Sequence, residues 1–278
     1  MAERLATLER SIASVRQLSS VVTAMRGIAA ARTVEAQGRL QGIADYAATI
    51  GQAISRVLAL PGETAPAGES GGLRLVIAIC AEQGFVGNFN HRVLERADVA
   101  AQDGDLLFLL GSRGFVPAEE MGQDIAWSAP MAGHADQLDT LANRLTDALF
   151  ARVARGGISE IALVHAVQQE ESGIAIVERT LVPFDFSRFP LHHGETAPLT
   201  QIPPMELLRQ LSEEYVFAEI CEALTLSFAA ENAERMRAMI AARSHVDARL
   251  EELAAAERIM RQSEITEEVI ELAAGQLG

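Results

Sequence analysis

The loop Gly84-Phe85-Val86-Gly87-Asn88 lies where α/β folds often bind phosphate. It follows an apolar run and precedes an amphipathic segment, as a strand–loop–helix unit requires. A dinucleotide fingerprint needs a third glycine and a phosphate loop needs Gly-Lys-Ser/Thr, and the loop has neither. We therefore interpret it as a tight structural turn and predict that the protein binds no cofactor.

The histidines and carboxylates form no recognisable catalytic or metal-binding group. His192 and His193 are adjacent, but only Glu195 lies near them as a further metal ligand, so we predict a solvated pair. No Ser-His-Asp or Cys-His arrangement follows from the spacing of the other histidines. The carboxylates decorate predicted helices, where solvation is their default state. The sequence therefore predicts no catalytic residue and no metal site.

The segment 261–268 (RQSEITEE) has chemistry that suits a protein partner. An apolar rhythm in the preceding helix fails at this segment, so we expect it to leave its packed neighbour. Arg, Gln and Thr among apolar residues suit a sheath formed by another protein. The alternative is a frayed C-terminal tail.

An unbroken seven-residue repeat in the N-terminal segment predicts one helix of a coiled coil. Thirteen of its sixteen positions are apolar, and Ser19, Arg26 and Thr33 are the polar ones. A single helix over this segment would be roughly 80 Å long at ~1.5 Å per residue, so much of it must protrude from any small core. The positions are Leu5, Leu8, Ile12, Val15, Ser19, Val22, Arg26, Ala29, Thr33, Ala36, Leu40, Ile43, Ala47, Ile50, Ile54 and Val57.

A weaker repeat of the same kind lies in the C-terminal segment. From Met205 to about Gly275 the chain has no proline and favours helix throughout. We predict that the two terminal helices pair antiparallel; the alternative is two separate amphipathic helices packed on a globular core. The positions of this repeat are Met236, Met239, Arg243, Val246, Leu250, Leu253, Glu257 and Met260.

The charge distribution is compatible with this pairing. Residues 1–56 hold seven Arg against four carboxylates, a net of +3, whereas fifteen carboxylates against seven Arg give −8 from Met205 onward. The alternative is that the charged residues of both segments lie on faces exposed to solvent, which would give the same distribution. The total of −15 argues against a general nucleic-acid binder. No stretch approaches the ~20 apolar residues of a membrane span, so we expect a protein that is soluble or held at a membrane by a partner.

Strands alternate with helices between the two terminal segments, which predicts a small α/β sheet domain. Pro61 ends the first helix, and residues 61–72 (PGETAPAGESGG) form a predicted linker. The predicted strands are 73–80, 106–110, 124–126, 160–167 and 174–182, and the predicted helices are 90–102 and 138–153. We predict three parts, namely an N-terminal helix at 1–60, an α/β domain at 70–190 and a C-terminal helix at 204–278.

Short motifs at both ends and in the middle of the chain follow one family pattern. The N-terminal motifs are Ile12, Ser14, Val15, Thr23-Ala24-Met25 and Ala29-Ala30-Ala31. The C-terminal ones are Glu231, Ala233, Arg235, Met236, Ala238, Met239, Ile265-Thr266-Glu267-Glu268, Glu271 and Gly275. With the turn Gln83–Asn90 (QGFVGNFN), they closely resemble the gamma subunit of F-type ATP synthases. Arg258-Ile259, Gln83 and Asn88 depart from the pattern, which indicates a divergent bacterial branch.

The resemblance implies a rotor shaft without catalytic sites of its own. The implied fold is α/β with long helices: an antiparallel two-helix coiled coil from the terminal segments and a small Rossmann-like α/β domain inserted between them. The implied partners are the alpha and beta subunits of the catalytic hexamer, the epsilon subunit and the membrane rotor ring. Neither nucleic acid nor direct membrane insertion is expected. The complex would hold the chain at the cytoplasmic face of the bacterial inner membrane.

By similarity, five residues would contact a beta subunit. Arg261, Gln262 and Thr266 would touch a beta-subunit loop, and Arg26 and Arg32 stand where the family usually has lysines near the beta lever. The turning shaft would favour a different beta conformation at each angle and so couple ion flow to ATP synthesis or hydrolysis. Two alternatives stay open: a structural coiled-coil adaptor with no rotary partner, and a small α/β nucleotide-binding enzyme.

Overall fold

The computed structural model describes residues 2–60, 71–100, 104–169, 173–190 and 200–275. The predictions for the linker at 61–70 and for His192 and His193 lie outside the described residues. Two compact units are present: unit 1 contains Met1–Ala29 and Met236–Gly278, and unit 2 contains Ala30–Arg235. The three-part division at 1–60, 70–190 and 204–278 stays a prediction, because each terminal helix contributes residues to both units.

The helices and strands follow the predicted order with small shifts at their ends. In chain order they are α1 (Ala2–Leu58), β1 (Leu73–Ile79), α2 (Phe89–Ala100), β2 (Leu106–Leu110), α3 (Phe115–Glu120), β3 (Ile125–Ala129), α4 (Leu138–Val153), β4 (Ile158–Gln169), β5 (Gly173–Val182) and α5 (Pro204–Gly275). The short helix α3 was not predicted. Its six residues are too few to show a helical period, and Pro117 lies in its first turn, where proline is tolerated.

One mainly parallel sheet lies at the centre of unit 2. Among the described residues its five strands have the order β3-β2-β1-β4-β5. β1 pairs in parallel with β2 and β4, β2 pairs in parallel with β3, and β5 pairs antiparallel with β4. The central strand β1 is buried from Leu75 to Ile79, as a parallel strand covered on both faces must be. The predicted α/β class is therefore confirmed, together with the long C-terminal helix.

Helices cover both faces of this sheet. One face packs against α4 and α5, whose buried side chains include Leu145, Leu149, Ile220, Leu224 and Phe228. The other face packs against α2 and α3, through Phe89, Val93, Leu94, Ala97 and Ala118. From Tyr215 to Arg235 every residue of α5 is buried or half-buried.

Unit 1 contains the N-terminal part of α1 and the C-terminal part of α5. Its buried residues occupy positions of the two predicted repeats: Ile12, Ser19, Val22 and Ala29 on α1, and Met239, Val246 and Leu253 on α5. The repeat is wrong at Arg26, which is exposed, whereas Met25 is half-buried. A step of three residues from Val22 leads to Met25, and a step of four from Met25 leads to Ala29. This spacing turns the apolar side chain of Met25 inward and leaves the charged side chain of Arg26 in water.

His165 on β4 is fully buried and incompletely hydrogen-bonded. Its Nδ1 lies 3.3 Å from the carbonyl oxygen of Ala166, and its Nε2 has no hydrogen-bond partner among the described residues. Burial lowers the pKa of His165 to about 4, the positive charge of Arg179 acts in the same direction, and Glu222 opposes it. The folded chain therefore keeps this imidazole neutral at pH values where an unfolded chain protonates it.

The stability of the fold is expected to decrease as the pH falls from about 6.5 to about 4. Over that window the unfolded chain binds a proton at His165 that the folded chain excludes, and below it no further loss arises from this residue. Between pH 7 and pH 5 the free energy of unfolding should fall by about 2 kcal/mol more in the wild type than in His165→Leu. Urea denaturation of both proteins at the two pH values measures this difference, and equal losses would contradict it.

Candidate functional site

The five predicted contact residues lie on α1 and α5. Arg26, Arg261, Gln262 and Thr266 belong to unit 1 and are exposed, and Arg32 belongs to unit 2 and is half-buried. The guanidinium of Arg32 is engaged within unit 2, where its Nη1 donates to Oε1 of Gln83 at 3.1 Å.

Arg261 is held by two carboxylates and remains accessible. Its Nη2 lies 2.9 Å from Oε1 of Glu9 and 2.6 Å from Oε1 of Glu257, and its side chain is 55% exposed. One turn further along α5, the Thr266 hydroxyl donates to the carbonyl oxygen of Gln262 at 2.8 Å. Exposed ion pairs contribute at most about 1 kcal/mol each, so Arg261 can exchange them for a partner's carboxylate at little cost.

Large apolar side chains are exposed beyond Leu253, the last buried residue of the α5 repeat. They are Ile259, Ile265, Val269, Ile270 and Leu272, and on α1 the residues Leu18, Val21 and Ile28 are similarly exposed. Exposed apolar groups clustered on a helix are typical of surfaces that bind other proteins. The predicted contact residues Arg261, Gln262 and Thr266 and these exposed apolar side chains thus occur together on the terminal part of α5.

The turn after β1 is occupied by side chains of this chain. The carboxylate of Glu231 on α5 accepts hydrogen bonds from the backbone N–H groups of Glu82 at 3.4 Å and Gln83 at 3.3 Å. Arg235 donates from Nε to the carbonyl oxygen of Gly84 at 3.1 Å and from Nη2 to that of Gln83 at 3.2 Å. Two backbone N–H groups at the start of this turn are therefore bound to a carboxylate of α5.

Glu231 and Arg235 form a buried ion pair at this turn. Each side chain is 5% exposed, and Nη2 of Arg235 lies 2.5 Å from Oε1 of Glu231. Burial raises the pKa of Glu231, while the charge of Arg235 and the backbone N–H groups of Gln83 and Glu82 oppose the shift. Both partners have hydrogen bonds beyond the pair itself, which is what makes a buried ion pair tolerable.

Glu82 connects the turn to the ends of two further strands. Its carboxylate accepts from the backbone N–H of Ser112 at 3.0 Å, the hydroxyl of Ser112 at 2.7 Å and the N–H of Met131 at 2.8 Å. Sequence reasoning assigned no structural role to Glu82, Glu231 or Arg235. The signal for the last two was available, because they are charged residues four apart in a stretch of helix that is otherwise mostly apolar.

A cavity of about 810 Å³ lies in unit 2 between α1, α5 and the segment after β5. Gly51, Phe189 and Tyr215 contribute to its walls together with charged groups. The carboxylate of Glu219, 4% exposed, lies 2.9 Å from Nη1 of Arg188 and also contacts Arg179. Arg179 and Arg188 are therefore engaged by Glu219 within the cavity wall.

Neither a metal centre nor a membrane span is evident in the part of the chain that the structure describes. Within those residues no group of three or more His, Cys, Asp and Glu is arranged to hold a metal ion. No helix there is long and apolar enough to cross a bilayer. The fold and the site together define a class: an α/β sheet whose first turn is bound by side chains of α5, combined with long terminal helices that expose apolar side chains.

The whole chain matches one protein family. A family model described as ATP synthase matches residues 4–277. The ATP synthase gamma chain of Frankia casuarinae is 28% identical over 99% of this chain and 97% of its own length. That of Streptomyces coelicolor is 25% identical over 99% and 96%. The chain therefore belongs to the family of ATP synthase gamma subunits, the non-catalytic central stalk of F-type ATP synthase.

Solved structures have the same fold. A chain in the OSCP/F1/c-ring structure of Euglena gracilis mitochondrial ATP synthase superposes with a TM-score of 0.65 at 11% identity, covering 99% of this chain and 94% of that one. A chain in the central stalk/c-ring structure from Tetrahymena thermophila gives 0.57 at 18% identity, covering 80% and 99%. The order of helices and sheet is thus common to this chain and to chains of distant ATP synthases.

Proposed function

We propose that this chain turns inside a hexamer of alpha and beta subunits and couples ion flow through a membrane ring to ATP synthesis or hydrolysis. Family membership over nearly its whole length carries the proposal. The nucleotide sites belong to the beta subunits, and the shaft acts by favouring a different beta conformation at each angle. The chain would lie at the cytoplasmic face of a bacterial inner membrane, held there by the hexamer, the epsilon subunit and the ring.

In this proposal the two terminal helices form an antiparallel coiled coil that carries a Rossmann-like domain. Two contacts within unit 1 support the antiparallel sense. Arg261 contacts Glu9, and Nη1 of Arg243 donates to Oγ1 of Thr23 at 2.8 Å. As the residue number rises along α1, the number of the contacting residue on α5 falls, which is what antiparallel helices require. Buried residues at the predicted repeat positions on both helices add to this support.

The beta-subunit contacts are assigned to Arg26, Arg261, Gln262 and Thr266, all exposed, and to Arg32. Exposure supports this assignment for the first four. Arg32 is the weakest candidate of the five, since its guanidinium already donates to Gln83. A carboxylate on the partner would form charge-assisted hydrogen bonds with the arginines.

The double variant Arg261→Ala, Gln262→Ala is expected to reduce ATP synthesis and ATP-driven ion pumping about tenfold, equivalent to about 1.4 kcal/mol of lost coupling energy. Both side chains are exposed, so the stability of the subunit should change by less than about 1 kcal/mol. ATP synthesis and ion pumping are measured on the assembled complex reconstituted in vesicles, and the stability is measured by thermal unfolding of the isolated subunit.

Arg249→Ala is the matched control for this variant. Arg249 lies on the same helix, is similarly exposed, and pairs with Glu252 at 2.8 Å. We expect its complex to synthesise ATP at the wild-type rate. Wild-type synthesis and pumping by the double variant would contradict the assignment of Arg261 and Gln262 as contact residues.

A further inference from the structure

Four buried polar residues lie along one ridge of α5. They are Glu219, Ser227, Glu231 and Arg235, which with Ala223 are spaced four apart along the helix. We call the three C-terminal residues of this ridge, Ser227, Glu231 and Arg235, the polar row. A helix that packs on a sheet normally buries apolar side chains at such positions, because a buried polar group costs free energy unless it is paired.

Every member of the polar row contacts β1 or the turn that follows it. The Ser227 hydroxyl lies 3.4 Å from the carbonyl oxygen of Ile79, the last residue of β1. Glu231 accepts from the N–H groups of Glu82 and Gln83, and Arg235 donates to the carbonyl oxygens of Gln83 and Gly84. The row thus fastens α5 to the last residue of β1 and to three residues of the turn that follows it.

These contacts add directional resistance to rotation of α5 about its axis. Ile220, Leu224 and Phe228 also hold α5 against the sheet, through hydrophobic burial that is itself non-directional. Hydrogen bonds depend strongly on angle, and those between charged groups are the strongest. A turn of α5 about its axis would break several of them at once.

The turn that receives the polar row is itself fixed on two further sides. Glu82 binds Ser112 and Met131, which follow the carboxyl ends of β2 and β3. The side chain of Gln83 accepts a hydrogen bond from Arg32 of α1. A force applied to α5 at Glu231 and Arg235 is therefore distributed over three strands and a second helix of unit 2.

We propose that the polar row is a joint that fixes the angle of α5 about its own axis, and that torque passes between the α/β sheet and α5 through Glu231 and Arg235. This inference rests on the proposed rotary function, and both residues act as positioning residues that touch no nucleotide. The position where related α/β folds hold a ligand, at the carboxyl ends of the strands, would here serve as a mechanical connection.

Stability alone does not account for the charges in this joint. Replacing a buried ion pair by well-packed hydrophobic residues of similar volume is often neutral or even stabilising. The joint therefore predicts an effect on coupling that differs from any effect on folding. The test variant is Glu231→Gln with Arg235→Gln, which keeps a hydrogen-bonding side chain at each position but removes both charges and shortens the side chain at position 235. The control is Arg209→Gln with Glu213→Gln, which neutralises an exposed ion pair on the same helix.

The experiment measures ions pumped per ATP hydrolysed by the assembled complex in vesicles, beside thermal unfolding of each subunit. We expect this ratio to fall about fivefold in the Glu231→Gln, Arg235→Gln complex and to stay at the wild-type value in the control. In a second measurement the hexamer is held fixed and a probe is attached to the α/β unit. The angle of the probe should fluctuate more widely in the Glu231→Gln, Arg235→Gln complex than in the wild-type complex. A variant with a lower unfolding temperature but an unchanged ratio would overturn the proposal, because that is the result of a purely structural role.

Arg235→Lys decides the matter if the doubly neutral variant fails to enter the complex. Lysine keeps the charge beside Glu231 but lacks the planar guanidinium that reaches the carbonyl oxygens of Gln83 and Gly84. A lowered ratio supports the joint, and a wild-type ratio overturns it. Failure of the rotary function itself would look different, since the wild-type chain would then neither join the hexamer and ring nor support pumping.

Discussion

Replacing Gly111 with alanine is expected to prevent unit 2 from folding stably. A Cβ at this position would lie 2.2 Å from the carbonyl oxygen of Cys80 and 2.5 Å from its carbonyl carbon. Both atoms are backbone at the end of the central strand, so neither can move aside easily. The φ angle of +92° is also one that residues with a side chain rarely adopt. We expect a loss of about 4 kcal/mol or more, a large part of a typical domain's stability.

Gly122→Ala is the matched control for Gly111→Ala. Gly122 also has a positive φ of +70°, but an added Cβ would meet nothing within 4 Å. Its cost should be about 1 kcal/mol, the strain of the left-handed conformation alone. Urea denaturation followed by circular dichroism compares the two variants, and equal midpoints would show that the clash with Cys80 is relieved by movement of the backbone.

Phe228→Ala is expected to destabilise the chain by about 4 kcal/mol. Phe228 is 2% exposed and lies on α5, in the core that this helix shares with the sheet. Removing the ring leaves a cavity that the flanking backbone cannot close, because it belongs to a continuous helix and a paired strand. Denaturation by guanidinium measures the change in the free energy of unfolding.

Phe150→Ala provides the comparison for this cavity. Phe150 lies on α4 with 36% of its surface exposed, so truncation removes less buried area and water can fill the space. We expect it to cost about a third as much as Phe228→Ala. A similar loss for both variants would mean that burial does not determine the contribution of these rings.

The sequence predicts the α/β class because several of its segments each show one clear pattern of apolar residues or of proline, and each pattern indicates either a strand or a helix. The apolar run at 73–80 is too short for a buried helix of usual length and lies between turn signals, which indicates a strand covered on both faces. The apolar stripe at 138–153 repeats at helical spacing and becomes α4. Proline is missing from Met205 onward, and α5 extends from Pro204 to Gly275. In each case a local property of the chain is sufficient for the prediction.

The candidate site could be predicted only where it depends on local chemistry. The exposed end of α5 follows from the failure of the apolar repeat near Arg261. The connection from Glu82 to Ser112 and Met131 does not, because it depends on which strands are neighbours in the sheet. Similarly, Arg26 occupies a repeat position in the sequence, yet the helix places Met25 inside instead, since steps of three and four are both compatible with the helical period.

The apolar side chains on the last part of α5 also bear on the solubility of the chain before assembly. Residues such as Ile259, Ile265 and Leu272 expose 61–71% of their surface. Outside a complex, such a surface favours association between free copies of the chain. A cell that makes this subunit in excess over its partners would accumulate a species prone to aggregation. Matched synthesis of the subunits, or prompt capture of each new chain, avoids that outcome.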